Sequence, residues 1–195
     1  MLAAVILAAG ESRRMGTPKA LLTYRGATFV EHLLAVTRHA RVGITRVVLG
    51  AGAENIRTAL KLADDQVVVN SDWPRGQLSS IQTAIRSLKG RETDGVLICP
   101  VDHPLVSADL VSRLIAAFES GGKPIVLPAF HGKRGHPVIF GCDLYPEILS
   151  ASPDVGARQV VWAHAGEITE VPTDEEGSVL NLNDPDTLRR VIQKP

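Results

Sequence analysis

The sequence predicts an α/β protein of three layers, with helices on both faces of a mostly parallel sheet. Apolar, β-rich runs alternate with segments of helical periodicity along all 195 residues. The strand candidates lack in–out alternation, as strands covered on both faces do. Alternating strand and helix builds βαβ units, whose crossovers are right-handed.

Taken in order, the strand candidates are residues 3–7, 46–49, 66–69, 95–99, 124–127, 137–140 and 167–171. Helical spacing is expected near 28–40, 53–61, 78–88, 108–119, 144–150, 157–165 and 186–192. Ser107 precedes the periodic Leu110, Leu114 and Phe118 as a helix cap, and Gly121-Gly122 stops that helix. Asp184-Pro185 opens the last one, with proline near its first position. No repeat, low-complexity stretch or linker divides the chain, which reads as one domain, 1–195.

Composition excludes several function classes. Lys+Arg and Asp+Glu are 21 each, so no global basic charge attracts nucleic acid. Aromatics at 4% also speak against a base-stacking platform. No apolar run approaches the length of a membrane span, and the first apolar stretch lacks a basic lead, so the expected place is the cytoplasm. Cys99 lies in an apolar run and reads as a buried, inert thiol, and no metal-type cysteine spacing occurs.

The chemistry begins where the first strand ends, in Leu7-Ala8-Ala9-Gly10-Glu11-Ser12-Arg13-Arg14-Met15-Gly16-Thr17-Pro18-Lys19. Glycines there permit backbone conformations closed to side chains, and free N–H groups in such a turn point at phosphate oxygens. Arg14 offers a planar fork and Lys19 a mobile point charge. The spacing is neither the P-loop's nor G-x-G-x-x-G, so the usual dinucleotide fold is not indicated. Past the fourth strand candidate stands Pro100-Val101-Asp102-His103-Pro104. A carboxylate there suits Mg²⁺, which takes one or two protein oxygens plus phosphate oxygens and water. In a parallel sheet both turns open beyond the carboxyl ends of their strands, so they are expected to meet over one crevice. Taken alone, Asp102 between two prolines reads equally as a turn organiser.

Three further segments carry candidates. Trp73-Pro74-Arg75-Gly76-Gln77-Leu78-Ser79-Ser80 opens a helix with N–H and hydroxyl donors, though capping alone accounts for the serines. Lys133-Arg134-Gly135-His136-Pro137-Val138 and Gly156-Ala157-Arg158 are basic, glycine-bearing stretches. Asn181-Leu182-Asn183-Asp184-Pro185 precedes the last helix, where an ordinary helix start accounts for it as well. A zinc pair of His131 and His136 lacks a third ligand.

The run Leu7-Ala8-Ala9-Gly10-x-Ser12-x-Arg14-Met15-Gly16-x-Pro18-Lys19 closely resembles the signature of the MobA-like nucleotidyltransferases, and later segments extend the likeness over nearly the whole chain. Within that group it is most similar to the molybdenum cofactor cytidylyltransferases. The resemblance implies a Rossmann-like sheet of the nucleotide-diphospho-sugar transferase type. It implies a nucleotide site from Leu7, Ala8, Ala9, Gly10, Glu11, Ser12, Arg14, Lys19, Gly76, Ser80 and Asp102. Arg14, Lys19 and Asp102 take the catalytic roles, Arg134, Gly135, His136 and Arg158 the acceptor, and Asp102 with Asn183 the Mg²⁺, Asp184 being the substitute ligand. Arg158 reads equally as a helix-surface charge. Leu-Ala-Ala-Gly goes with CTP in that family, whereas asparagine at 183 goes with the guanylyl branch. The family usually reads Asp-Gln-Pro where this chain has Asp102-His103-Pro104.

The implied activity is transfer of CMP from CTP to the phosphate of molybdopterin, with release of pyrophosphate. A molybdoenzyme or its insertion chaperone is the implied protein partner. Alternatives are GTP as donor, a sugar phosphate as acceptor, or a cofactor-binding protein without turnover.

Overall fold

The computed structural model describes residues 1–152 and 156–192, with the side chain of residue 192 outside the description. Its centre is β1 (Leu2–Ala8), all seven residues of which are buried. A strand this apolar is stable only with both faces covered. Alternate residues accordingly enter two cores. Ala4, Ile6 and Ala8 join Val30 and Leu33 of α1 (Phe29–Val36), Ile56 of α2 (Ala53–Leu60) and Leu110 and Leu114 of α4 (Ala108–Gly121). Val5, Leu7 and Ala9 join Leu78 and Ile81 of α3 (Gln77–Ser87), Ile148 of α5 (Tyr145–Ser150) and Val160 of α6 (Arg158–Ala163). The three expected layers are therefore present.

The other strands are β2 (Thr23–Tyr24), β3 (Ala27–Thr28), β4 (Val42–Leu49), β5 (Val67–Val69), β6 (Gly95–Pro100), β7 (Ile125–Phe130), β8 (Lys133–Arg134), β9 (Val138–Gly141) and β10 (Ile168–Pro172). The main sheet runs β10-β7-β9-β6-β1-β4-β5, with β8 beside β7, while β2 and β3 form a separate hairpin. β1 pairs in parallel with β4 and β6 on its two sides. β9 lies antiparallel between β6 and β7.

Each predicted strand and helix is present, with shifted ends. β4 begins at Val42 rather than 46, because Val42 and Ile44 pair with β1 although Gly43, Thr45 and Arg46 break the apolar run. The helix expected over 28–40 stops at Val36, where the Thr37 hydroxyl donates to the Leu33 carbonyl at 2.7 Å. The two-residue strands β2, β3 and β8 carry no periodic signal of their own. The last helix, α7 (Pro185–Ile192), closes a small cluster of Phe29, Leu182 and Val191 beside the carboxyl edge of the sheet. Cys99 is fully buried, and burial pushes its thiol up to about 12, so it stays protonated. Among the described residues no helix is long and apolar enough to cross a membrane.

Candidate active site

Leu7 of β1 stands opposite Pro100 of β6 in a parallel pair, so the turns that follow leave the sheet side by side. Backbone bonds then knit three segments together. Val101 N–H donates to Leu7 O at 3.0 Å, and Leu182 N–H donates to Asp102 O at 2.9 Å. The crevice that the parallel topology implies is thus built from the turn after β1, the turn after β6 and the stretch before α7.

The first turn winds through two short helical turns, Arg13–Met15 and Lys19–Leu21. Gly16 has φ 67 and uses the left-handed region as expected. Ser12 also sits there, at φ 56, which the sequence did not signal. Its hydroxyl accepts from Lys19 N–H at 3.0 Å and closes the turn on itself. Gly10 differs from expectation: its φ lies outside the left-handed region, and a Cβ there would meet nothing within 4 Å. Its value is open space facing the crevice. Arg13 and Arg14 are both exposed, and Arg13 pairs with Glu11 at 2.6 Å.

Lys19 is the junction of the site. Its Nζ lies 3.8 Å from Asp102 Oδ2 and hydrogen-bonds the Asn183 side-chain oxygen. Burial holds its pKa below the ordinary lysine value, against the opposing pull of Asp102. One carboxylate and one amide oxygen therefore share a cationic centre, a donor set suited to a hard divalent ion that keeps water or phosphate in its remaining positions. Asp184 is committed elsewhere. Its carboxylate accepts from the Thr187 backbone N–H at 2.8 Å and the Thr187 hydroxyl at 3.0 Å, capping α7, so Asn183 and not Asp184 faces the centre.

A cleft of about 220 Å³ opens beside Lys19 and Asp102, lined among others by Leu7, Ala8, Ala9, Gly10, Gly76 and Ser80. An adjoining hollow is lined by Glu11, Ser12, Arg14, Lys19, Trp73 and Asn183. All the residues expected at the nucleotide thus border one connected region. The serines are partly engaged: Asn70, buried at the end of β5, donates to Ser79 Oγ at 2.9 Å and to Ser80 Oγ at 3.0 Å. Ser79 in turn donates to Gly76 O at 2.8 Å, so it organises the helix start. Gly76 has φ 97, which turns the chain into α3. Trp73 walls both spaces, a role sequence reasoning missed. It packs there because Gly50 lacks a side chain: a Cβ at Gly50 would come within 2.7 Å of Trp73 and 2.6 Å of Ala9 O.

The acceptor candidates divide. His136 and Arg158 line a second cavity of about 320 Å³, walled by Leu78, Ile81, Val138 and Phe140. Gln77 borders both this cavity and the Lys19 cleft, so the two adjoin. Burial pushes His136 down to about 4, and its buried Nδ1 has no hydrogen-bond partner among the described residues. Arg134 is placed differently from expectation. Its Nε binds Glu170 Oε1 at 2.7 Å on β10, which like β8 pairs with β7, and it lines neither cavity. Gly135 also serves a structural end, since a Cβ there would meet Ser178 O at 2.4 Å. The 178 carbonyl comes close to its backbone. His131 sits apart, edge-on to Phe130.

A cationic turn after one central strand and a carboxylate after its parallel neighbour meet through a lysine at the carboxyl edge of the sheet, where open α/β folds bind their ligands. The chain belongs to the family of the MobA-like NTP transferase domain, whose sequence profile matches residues 4–168. Nicotine blue oxidoreductase of Paenarthrobacter nicotinovorans is 35% identical over 166 residues, covering 79% of this chain and 78% of the relative. A molybdenum cofactor guanylyltransferase of Shewanella sp. (strain ANA-3) is 29% identical, over 96% of this chain and 93% of the relative. Among solved structures, Rv0371c of Mycobacterium tuberculosis superposes with a TM-score of 0.82 at 29% identity, covering 98% of this chain and 96% of that one. A manganese complex of the same mycobacterial protein superposes at 0.77, with 27% identity over 100% of this chain and 99% of that one.

Proposed function

We propose that this protein transfers the nucleoside monophosphate of GTP to the phosphate of the molybdenum cofactor and releases pyrophosphate. The observation that carries the reading is the Lys19 ammonium held between Asp102 and Asn183 beside the cleft. An acceptor phosphate oxygen attacks the α-phosphorus, the new P–O bond forms, and the bond to the β-phosphate bridging oxygen breaks. That phosphate is already ionised at neutral pH, so no strong general base is required. What the step needs is relief of repulsion between anions. Lys19, Arg14 and the N–H groups of the turn after β1 supply it from the protein. Mg²⁺ held by Asp102 and Asn183 would add charge neutralisation at the phosphates. His136 and Arg158 hold the acceptor in the adjoining cavity.

GTP is favoured by the relatives, several of which are named molybdenum cofactor guanylyltransferases. The cytidylyl expectation finds no support among those names. It rests on Ala9, whose buried methyl occupies space beside the cleft that glycine would leave open. The test is pyrophosphate release from GTP and CTP in turn, with Mg²⁺ and purified molybdopterin cofactor. Turnover with GTP that falls about 10²-fold in Asp102→Ala is the expected result. Preference for CTP would restore the cytidylyl reading, and no release from either would end the proposal.

A further inference from the structure

The turn that carries Asp102 also carries a residue with no part in the chemistry above. His103 is 5% exposed, so a polar ring is buried there. Its Nδ1 lies 3.4 Å from Gly177 O, and the ring also interacts with the Asn181 side chain. Its ring packs against that of His136, with ring centroids 4.8 Å apart and planes tilted by 52°. One side chain therefore touches two separate segments, the stretch leading into α7 and the turn before β9.

Those two segments already meet at a corner with little slack. His136 N–H donates to Ser178 O at 2.8 Å. Gly135 admits no Cβ because of Ser178 O, and a Cβ on Gly177 would come within 2.7 Å of Leu105. His103 fills this corner from the Asp102 side. The Nδ1 side of its ring faces the stretch that bears Asn183, and the ring packs against His136 on the acceptor wall. An apolar side chain of the same volume would leave Gly177 O and Asn181 without this partner, and a flexible polar one would leave His136 without a rigid surface.

We propose that His103 is the positioning residue that sets the distance between the nucleotide cleft and the acceptor cavity. Its polar edge holds the 177–183 stretch toward Asp102, and its ring packing holds His136 at the cavity. What that distance is for rests on the function proposed above; the two-sided positioning itself does not.

Two variants separate the sides. His103→Phe keeps a ring against His136 and removes the polar edge. His103→Gln keeps a polar edge and removes the ring. Amide hydrogen exchange in the free protein, with a melting curve as the fold control, is expected to show faster exchange over 177–183 in His103→Phe and near wild-type exchange there in His103→Gln. In turnover, His103→Phe is expected to raise KM for the nucleotide roughly tenfold, and His103→Gln to raise KM for the acceptor by a similar factor, each with the other KM little moved. Unchanged exchange over 177–183 in His103→Phe overturns the proposal. So does a uniform loss in kcat and both KM values that tracks melting temperature in both variants, since that is the mark of packing alone. If one variant fails to fold, the other decides its own side of the ring, and an unmoved value there overturns the proposal. Absence of turnover in the wild type would defeat the proposed function and leave the exchange pattern to decide the positioning.

Discussion

Lys19 has 15% of its side chain exposed, so its ammonium has given up much of its water in exchange for Asp102 and Asn183. A cation in that state is ready to take a phosphate, because its desolvation precedes binding. Lys19→Ala is therefore expected to raise KM for the nucleoside triphosphate by one to two orders of magnitude, measured by initial rates of pyrophosphate release at saturating acceptor. Asn183→Ala is expected to raise the Mg²⁺ concentration needed for half-maximal rate, while Asp184→Ala, which removes only the α7 cap, leaves that requirement near wild type. Lys19 and Asp102 were legible in the chain because each sits in a motif directly after an apolar strand. The contacts of Arg134 and Gly135 within the fold were not legible. A basic residue beside a glycine looks the same in sequence whether it waits for an anion or already pairs with Glu170 across a strand.

Two junctions between elements carry measurable consequences. Gly50, just past β4, lets Trp73 lie across Ala9. Gly50→Ala is expected to destabilise the protein by about 2 kcal/mol in urea titration, since the new methyl meets backbone as well as the indole. It should also shift Trp73 fluorescence, as the ring moves off the cleft wall. The second junction joins α5 to the turn before β10. His164 binds Glu147 at 2.6 Å through Nε2 and Glu167 at 3.0 Å through Nδ1. The hydrogen bonds to Glu147 and Glu167 raise its pKa above the ordinary histidine value. A raised folded-state pKa gives stability that is fully present below the unfolded value, about 6.5, and lost as pH rises through the folded value. Comparing urea midpoints of wild type and His164→Gln, we expect a gap of at most about 1 kcal/mol at pH 5.5 that shrinks by pH 9. A gap that widens with pH would refute the clamp. Element type was legible from periodicity, whereas element ends were set by partners. β4 gained its first residues from pairing with β1, and β9 took an antiparallel place that no local pattern encodes.

For the molecule as a whole, a triphosphate bound across the turns after β1 and β6 links two strands and the stretch before α7. Binding to the folded state alone adds stability by mass action, about 2.7 kcal/mol at a hundredfold excess over Kd. GTP with Mg²⁺ is expected to raise Tm by several degrees, CTP by less, and either without a divalent ion by little; equal shifts for all nucleotides would argue against a base-selective cleft. The chain alone determined the three-layer architecture, because strands apolar on both faces and helices apolar on one leave few other ways to exclude water. It also determined where charge would stand, because the residues after a buried strand must emerge at its carboxyl end. Only the tertiary structure decided which of those groups meet. The Lys19–Asn183 contact joins residues 164 apart, the His103–His136 pair joins two different turns, and Gly135 answers to a carbonyl at position 178. Such contacts depend on strand order and on the packing of distant segments, and neither leaves a mark in local sequence.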